Sequence, residues 1–137
     1  MVISQCSSTG SVIASTSYYP SAGGISGYII GTIENCYSDS DVRTIGSYGC
    51  VMGIGGGKAS HCYFAGTIKG EGSLCPITGN SCVACYYNSD KINVSSAYGM
   101  ALTTSQMKKR ASYQDWDFDK VWKIDEGKSY PKLRVLE

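Results

Sequence analysis

Three aspartates follow Cys-Tyr pairs in this chain: Asp39 and Asp41 after Cys36 and Tyr37, and Asp90 after Cys85 and Tyr86. Carboxyl groups in pairs can cleave a glycosidic bond when they stand about 5–9.5 Å apart, one giving a proton and the other acting as nucleophile or base. Asp39 and Asp41, two apart on one strand, would share a face and meet that distance. The equivalent residues further on are Ala65 and Thr67, so the pair is not repeated, and solvated loop positions are the plainer reading. A second acidic group, Asp115, Asp117, Asp119 and Glu126, has the 1, 3, 5, 12 spacing of a calcium loop. Lys120 stands where that loop needs glycine, Trp116 and Phe118 call for burial between the acids, and Pro131 forbids an exiting helix. Cys82 and Cys85 form a CxxC without a matching second pair, which argues against structural zinc. Their flanks read as strand, whereas a redox CxxC needs a helix N-terminus to activate it. The single histidine, His61, reads as a turn or surface residue, and "GIGGGKAS" lacks the spacing of a phosphate-binding loop. No catalytic residue, metal or cofactor is expected from these patterns.

Whatever scaffold holds these groups is built from unusual material. The 137 residues include 17 glycines, 11 tyrosines and 7 cysteines, with a net charge of +1. Such a composition favours short strands and tight turns over helices. The near-neutral charge gives no basis for nucleic-acid binding. No apolar run reaches the roughly 20 residues needed to span a bilayer, so no membrane insertion is expected, and no signal peptide is visible.

The scaffold is a repeat. Aligned on Cys-Tyr pairs, "GGISGYIIGTIENCY", "GCVMGIGGGKASHCY" and "GSLCPITGNSCVACY" match over fifteen residues without a gap, their starts 26 and then 23 residues apart. The columns are Gly23, Gly49 and Gly72; Ile25, Val51 and Leu74; Gly27, Gly53 and Pro76; Ile33, Ala59 and Cys82; Cys36, Cys62 and Cys85; Tyr37, Tyr63 and Tyr86. Each block runs on to a β-branched residue, Val42, Ile68 or Ile92, after which a loop absorbs the length difference. The segment "VISQCSSTGSV" is the tail of an earlier block, with Ile3, Cys6 and Val12 in the columns of Ile33, Cys36 and Val42. A period in the low-to-mid twenties with few leucines predicts a short right-handed parallel β-helix, all-β in class. Apolar columns then fill its inside, glycine columns take corners or close approaches, and Cys6, Cys36, Cys62 and Cys85 form a buried ladder; adjacent turns bring its Cα atoms within disulfide range, but Cβ vectors pointing the same way favour reduced thiols over bridges. Ile33 and Cys36 are three apart, so both can face inward only if the chain bends near Asn35.

These blocks resemble the GLUG-motif repeats, glycine-rich repeats of bacterial surface proteins that include adhesin-like proteins and some IgA-specific metalloendopeptidases. "GGISGYIIGTIENCYSDSDV" carries the likeness most closely, and "DWDFDKVWKIDEGKSYPKLR" resembles the tail that follows such repeats. The resemblance implies a solenoid stalk or binding region at the cell surface or outside a bacterium, and no activity.

The solenoid repeats are expected over residues 1–98, with 99–137 as a capping segment packed on them. Thr103 and Gln106 form a capping box, with Leu102 and Met107 as staple, predicting a helix from about Thr104 to Tyr113. Trp116, Phe118, Trp122 and Tyr130 are the aromatic plug of a solenoid end, which otherwise exposes backbone and core. The Tyr37, Tyr63 and Tyr86 column reads as a structural ladder. Tyr18, Tyr19 and Tyr87 are left as candidate platforms for glycans. The function expected is a non-catalytic stalk or adhesive module with glycans or proteins as partners and self-association through an open N-terminal repeat. The alternative is a β-helix enzyme acting on a polysaccharide.

Overall fold

The computed structural model describes residues 1–94 and 98–136. The chain winds as a β-solenoid of about three turns. The first turn holds β1 (Val2–Ser4), β2 (Ser7–Ser8), β3 (Ser11–Tyr18) and β4 (Ser21–Gly23). The second holds β5 (Thr32–Glu34), β6 (Tyr37–Ser38), β7 (Asp41–Ser47) and β8 (Gly49–Met52). The third holds β9 (Lys58–Ser60), β10 (Tyr63–Phe64), β11 (Thr67–Lys69) and β12 (Gly72–Cys75), and β13 (Cys82–Val83) and β14 (Tyr86–Asn88) begin a fourth. Each strand pairs in parallel with its equivalent one turn on, so four parallel sheets wrap one interior.

The pairing registers reproduce most of the sequence columns. Ile3, Ile33, Ala59 and Cys82 stack, as do Val12, Val42 and Ile68, and Tyr37, Tyr63 and Tyr86. The bend before each cysteine is also present. Gln5, Asn35, His61 and Ala84 all adopt left-handed backbone, with φ between 51° and 53°. That conformation costs an L-residue about 1–2 kcal/mol, which the inter-turn hydrogen bonds Asn35 N–H to Ser60 O (3.1 Å) and His61 N–H to Val83 O (2.9 Å) offset. It turns Ile33 and Cys36 to the same side, and both are fully buried. The thiols close the bends: Cys36 donates to Glu34 O at 3.2 Å, Cys62 to Ser60 O at 3.2 Å and Cys85 to Val83 O at 3.5 Å. Cysteine therefore suits this column for two reasons, being a small apolar filler and a weak donor aimed back at the carbonyl two residues earlier. All seven cysteines are free thiols.

The gap-free alignment fails in its first eight positions. Ala22, not Ile25, lies opposite Val51, and Gly23 lies opposite Met52 rather than in a column with Gly49. Ile25 instead donates its N–H to Ile54 O at 2.7 Å, and Ser26 bridges to Gly55. The end of the first turn is thus shifted by three residues, and the connection over residues 27–31 that follows leaves Tyr28 and Ile30 exposed. From Gly49 and Gly72 onward the alignment holds, with Val51 on Leu74, Ala59 on Cys82 and Tyr63 on Tyr86. The length difference between those two blocks falls where expected, between the Val42–Ile68 and Gly49–Gly72 pairs.

The C-terminal segment departs from expectation in two ways. The capping box is present, with Thr103 Oγ1 accepting from Gln106 N–H at 3.2 Å and Gln106 Oε1 from Thr103 N–H at 2.9 Å. However, α1 covers only Thr104–Met107. Lys109 is extended (φ −123°, ψ 127°), and a single 3-10 turn follows at Arg110–Ser112. The groups that would have continued the helix find partners in the tail: Lys108 O accepts from Gly127 N–H (2.8 Å) and Glu126 accepts from Arg110 N–H (2.9 Å). The basic residues 108–110 accordingly do not form a helix face; Lys108 lies over the Tyr130 ring and Arg110 over Phe118.

Second, the aromatic plug lies against a side of the solenoid as well as near its end. β15 (Met100–Leu102) extends the tyrosine-bearing sheet beyond β14. Trp116, Phe118 and Trp122, with the hairpin of β16 (Trp122–Lys123) and β17 (Lys132–Leu133), pack on the outward face of that sheet against Tyr37, Tyr63 and Tyr86. Residues after an inward cysteine point outward on a strand, so the tyrosines offered the apolar surface that the tail buries. Tyr37 and Tyr63 stack at 5.0 Å and 6°, whereas Tyr86 meets Tyr113 edge-on at 5.3 Å. Polar tips are matched too: Tyr63 donates to Pro131 O (2.7 Å) and the Trp116 indole to Ala84 O (2.9 Å). Buried Asn88 joins the two parts by donating to Thr104 Oγ1 and Tyr130 Oη, both at 2.9 Å.

This seam makes stability sensitive to alkali. Burial first, then the phenols of Tyr37 and Tyr113, push the Tyr63 phenol well above its ordinary value, and burial does the same for Tyr113. Both stay protonated in the folded chain, while the unfolded chain ionises them near pH 10. Their contribution is therefore complete below about pH 10 and is lost as pH rises past it, by about 1.4 kcal/mol per pH unit for each proton withheld. Thermal melts followed by circular dichroism are expected to be flat from about pH 7 to 8, to decline gently once unfolded thiols ionise while burial keeps Cys62 protonated in the folded chain, and to fall steeply by about pH 11. A flat profile to pH 11 would show that the seam opens without exposing these rings.

Candidate ligand-binding face

The outward side chains of β3, β7 and β11 form an open face opposite in character to the sealed aromatic seam. Alternation sends Val42 and Thr44 inward and Asp41, Arg43 and Ile45 outward. Ser11, Asp41 and Thr67 form one column; Ile13, Arg43 and Lys69 form the next. Thr67 donates to Asp41 at 2.7 Å. A groove of about 550 Å³ runs between the second and third turns, bordered by Arg43, Ile45, Ser47, Lys69 and Glu71. A smaller one of about 260 Å³ continues across Ser11, Ile13, Asp41 and Arg43. Thr44 and Gly70 lie in the larger groove's wall, and the Thr44 hydroxyl is buried without a hydrogen-bond partner among the described residues.

Where β3 and β7 end, the chain turns a corner and places three tyrosines together. Tyr18 pairs in register with Ser47, which borders the groove. Tyr19 and Tyr48 occupy equivalent corner positions with φ of 52° and 58°. The rings of Tyr18, Tyr19 and Tyr48 lie 5.5, 5.7 and 5.8 Å apart in the three pairs and are 62%, 71% and 65% exposed. Bulky side chains rarely sit at positive φ, and their doing so twice at one corner holds both rings outward. The result is an aromatic surface beside a groove bordered by a guanidinium, an ammonium and a carboxylate. Flat apolar faces beside fixed polar groups suit a ligand with one apolar face and hydroxyls on its rim.

The structure brings together only some of the residues that the sequence pointed to. Tyr18 and Tyr19 are joined, and their third member, Tyr48, was missed. Pairing at the 29-residue offset of Ser21 with Cys50 would have put Tyr48 in the column of Tyr19, but the gap-free alignment hid that offset. Tyr87 is not a platform. It lies in register with Phe64, fills the interior at 6% exposure, and donates to Val94 O at 3.5 Å. The three aspartates do not converge. Asp39 lies near Tyr63 on the seam side, Asp41 holds Thr67, and Asp90 accepts the Thr104 N–H at 2.8 Å. In the tail, Asp117 accepts from the N–H groups of Asp119 and Lys120, and Glu126 is engaged by Arg110, so these carboxylates serve turns.

No family model matches the chain. It is similar to a protein of Evansella cellulosilytica described as a Gly-rich membrane protein, 29% identical over 122 residues. That match covers 82% of this chain and 12% of the relative, so the chain spans about an eighth of the relative's length. No solved structure matches. Among the described residues, no helix is long and apolar enough to cross a membrane, which says nothing of a β-barrel.

Proposed function

We propose that this chain is a non-catalytic solenoid module of a bacterial surface or secreted protein, which spaces and adheres, and that it binds glycans through Tyr18, Tyr19 and Tyr48. The observation that carries this reading is the exposed tyrosine trio held at a strained corner beside a polar groove. The likeness of the repeats to GLUG motifs supports the surface setting, as does the description of the longer relative as a Gly-rich membrane protein. The other reading, a polysaccharide-cleaving β-helix enzyme, has in its favour that Asp41 and Glu71 border adjoining grooves.

The trio is tested on a panel of polysaccharides and mucin glycans. Wild type is expected to bind a subset of the panel, and single Tyr18→Ala, Tyr19→Ala and Tyr48→Ala variants to lose about tenfold or more in affinity, consistent with about 1.4 kcal/mol for a stacking face. Unchanged melting temperatures would confirm that the variants remain folded. Binding that is indifferent to all three substitutions would remove the trio from the account.

A further inference from the structure

The groove between the second and third turns exists because the third turn is shorter. Val42 and Ile68 are register partners, and so are Gly49 and Gly72, yet seven positions separate Val42 from Gly49 and four separate Ile68 from Gly72. Strand β7 pairs with β3 as far as Ser47 but with β11 only as far as Arg43. Ile45, Gly46 and Ser47 are left without a register partner on the third turn, and they form one wall of the groove. Two cations stand where that wall begins. Arg43 and Lys69 are register partners and both are exposed, so like charges sit on neighbouring strands about 4.8 Å apart. Like charges directly opposite each other repel. Asp41 and Glu71 each lie two residues from one of these cations. Even so, neither Arg43 nor Lys69 has an ion pair or a side-chain hydrogen bond among the described residues, and Asp41 accepts from Thr67 instead.

An oxyanion placed between the two cations would relieve that repulsion, and a guanidinium offers paired N–H donors to a carboxylate or a sulfate. The tyrosines lie at the other end of the same wall. Ser47, the register partner of Tyr18, is four residues and about 13 Å along β7 from Arg43. We propose that the glycan held by the tyrosines is an acidic one, whose carboxylate or sulfate is clasped by Arg43 and Lys69. Its hydroxyls meet Glu71 and the unpaired edge at residues 45–47. Glu71 offsets one of the two positive charges, which leaves the groove an excess of one. This inference rests on the reading of Tyr18, Tyr19 and Tyr48 as a glycan platform, and it adds the charge of the sugar that the platform takes.

Binding to matched polysaccharides tests this: a polyuronate against its carboxyl-reduced form, and a sulfated polysaccharide against its desulfated form. Wild type is expected to bind an acidic member about tenfold or more tighter than its neutral counterpart, with the preference shrinking as salt is added. The pair that shows the preference tells whether carboxylate or sulfate is the group held. Arg43→Gln and Lys69→Gln are each expected to bring the acidic-to-neutral ratio close to one. Lys69→Arg, which keeps the charge, and Lys58→Gln, which removes a cation from another sheet, are expected to retain the preference. Circular dichroism establishes that each variant is folded. No binding of either acidic form, a wild-type ratio near one, a ratio that survives in folded Arg43→Gln and Lys69→Gln, or one that falls as far in Lys58→Gln would each overturn the proposal. The tyrosine reading fails separately. Tyrosine-to-alanine variants that bind both members like wild type would sink it alone, whereas tyrosine-dependent binding without acid preference would sink only the inference drawn here.

Discussion

Gly53→Ala is expected to cost about 3 kcal/mol or more, enough to consume much of the 5–15 kcal/mol that stabilises an ordinary domain. The cause is a close approach between turns. A Cβ at Gly53 would land on the carbonyl oxygen of Pro76 and on the ring of Phe64. Neither can withdraw. Pro76 lies between β12 and the Ile77 that accepts from Ile54 N–H, and Phe64 is buried in register between Ser38 and Tyr87. The turn spacing would have to open by more than the hydrogen-bonded sheets allow, because adjacent strands are fixed about 4.8 Å apart. Gly79→Ala is the control. Its Cβ would have only Cys75 Sγ within reach, at 3.7 Å, an ordinary contact. Reduced chain entropy in the unfolded state should make that substitution neutral or stabilising by up to about 1 kcal/mol. Denaturant melts of the two variants should therefore move in different directions, and equal losses would mean that the inter-turn packing at Gly53 is looser than described.

Trp122→Ala is expected to cost about 3–5 kcal/mol and to lower the melting temperature by about 10 °C or more. Trp122 is fully buried and sits 4.5 Å from Trp116, 6.0 Å from Tyr63 and 6.1 Å from Tyr37, so it reaches tyrosines of two turns at once. Its carbonyl accepts from the Arg134 Nε–H at 2.9 Å, and a second Arg134 nitrogen donates to Phe118 O at 2.6 Å. Removing the indole would leave a cavity at the point where the tail is fastened to the solenoid. Its own N–H has no partner among the described residues, and losing that buried donor returns part of the cost, which places the expectation toward the lower end of the range. Tyr18→Ala, on an exposed ring, should change stability by less than about 0.5 kcal/mol. A Trp122→Ala variant as stable as wild type would show that the tail rests on the tyrosine face without stabilising it.

The sequence displayed the repeat because parallel pairing imposes the same environment on equivalent residues of successive turns. The Cys column, the Tyr column and the bend before each cysteine could be read for that reason. The bend was visible through a conflict, since Ile33 and Cys36 could not both face inward on a straight strand; left-handed Asn35 resolves it. The first block was misregistered because glycine is common enough in this chain to align by chance. Gly23 over Gly49 looked right, while the actual partner of Gly23 is Met52. That slip concealed Tyr48. Tyr87 was misplaced for a different reason. It follows an outward tyrosine and so must face inward, a consequence of alternation that its resemblance to an exposed Tyr pair obscured. The tail's aromatics were legible as a buried cluster, but not the surface that buries them, because nothing in the spacing says whether an outward tyrosine column meets water or protein. The shortened α1 depended on partners such as Glu126, more than fifteen residues away, which a local capping signal does not contain.

We propose that this solenoid holds a sugar without altering it. The most direct test measures binding and chain cleavage in one sample: wild-type protein is incubated with each polysaccharide that it retains, and new reducing ends are counted over time, with the Tyr18→Ala, Tyr19→Ala and Tyr48→Ala triple variant alongside. Retention by wild type, loss of retention in the triple variant, and no reducing ends from either are the expected results. Reducing ends that accumulate with wild type and vanish in Asp41→Asn or Glu71→Gln would contradict this reading and make the groove a catalytic one.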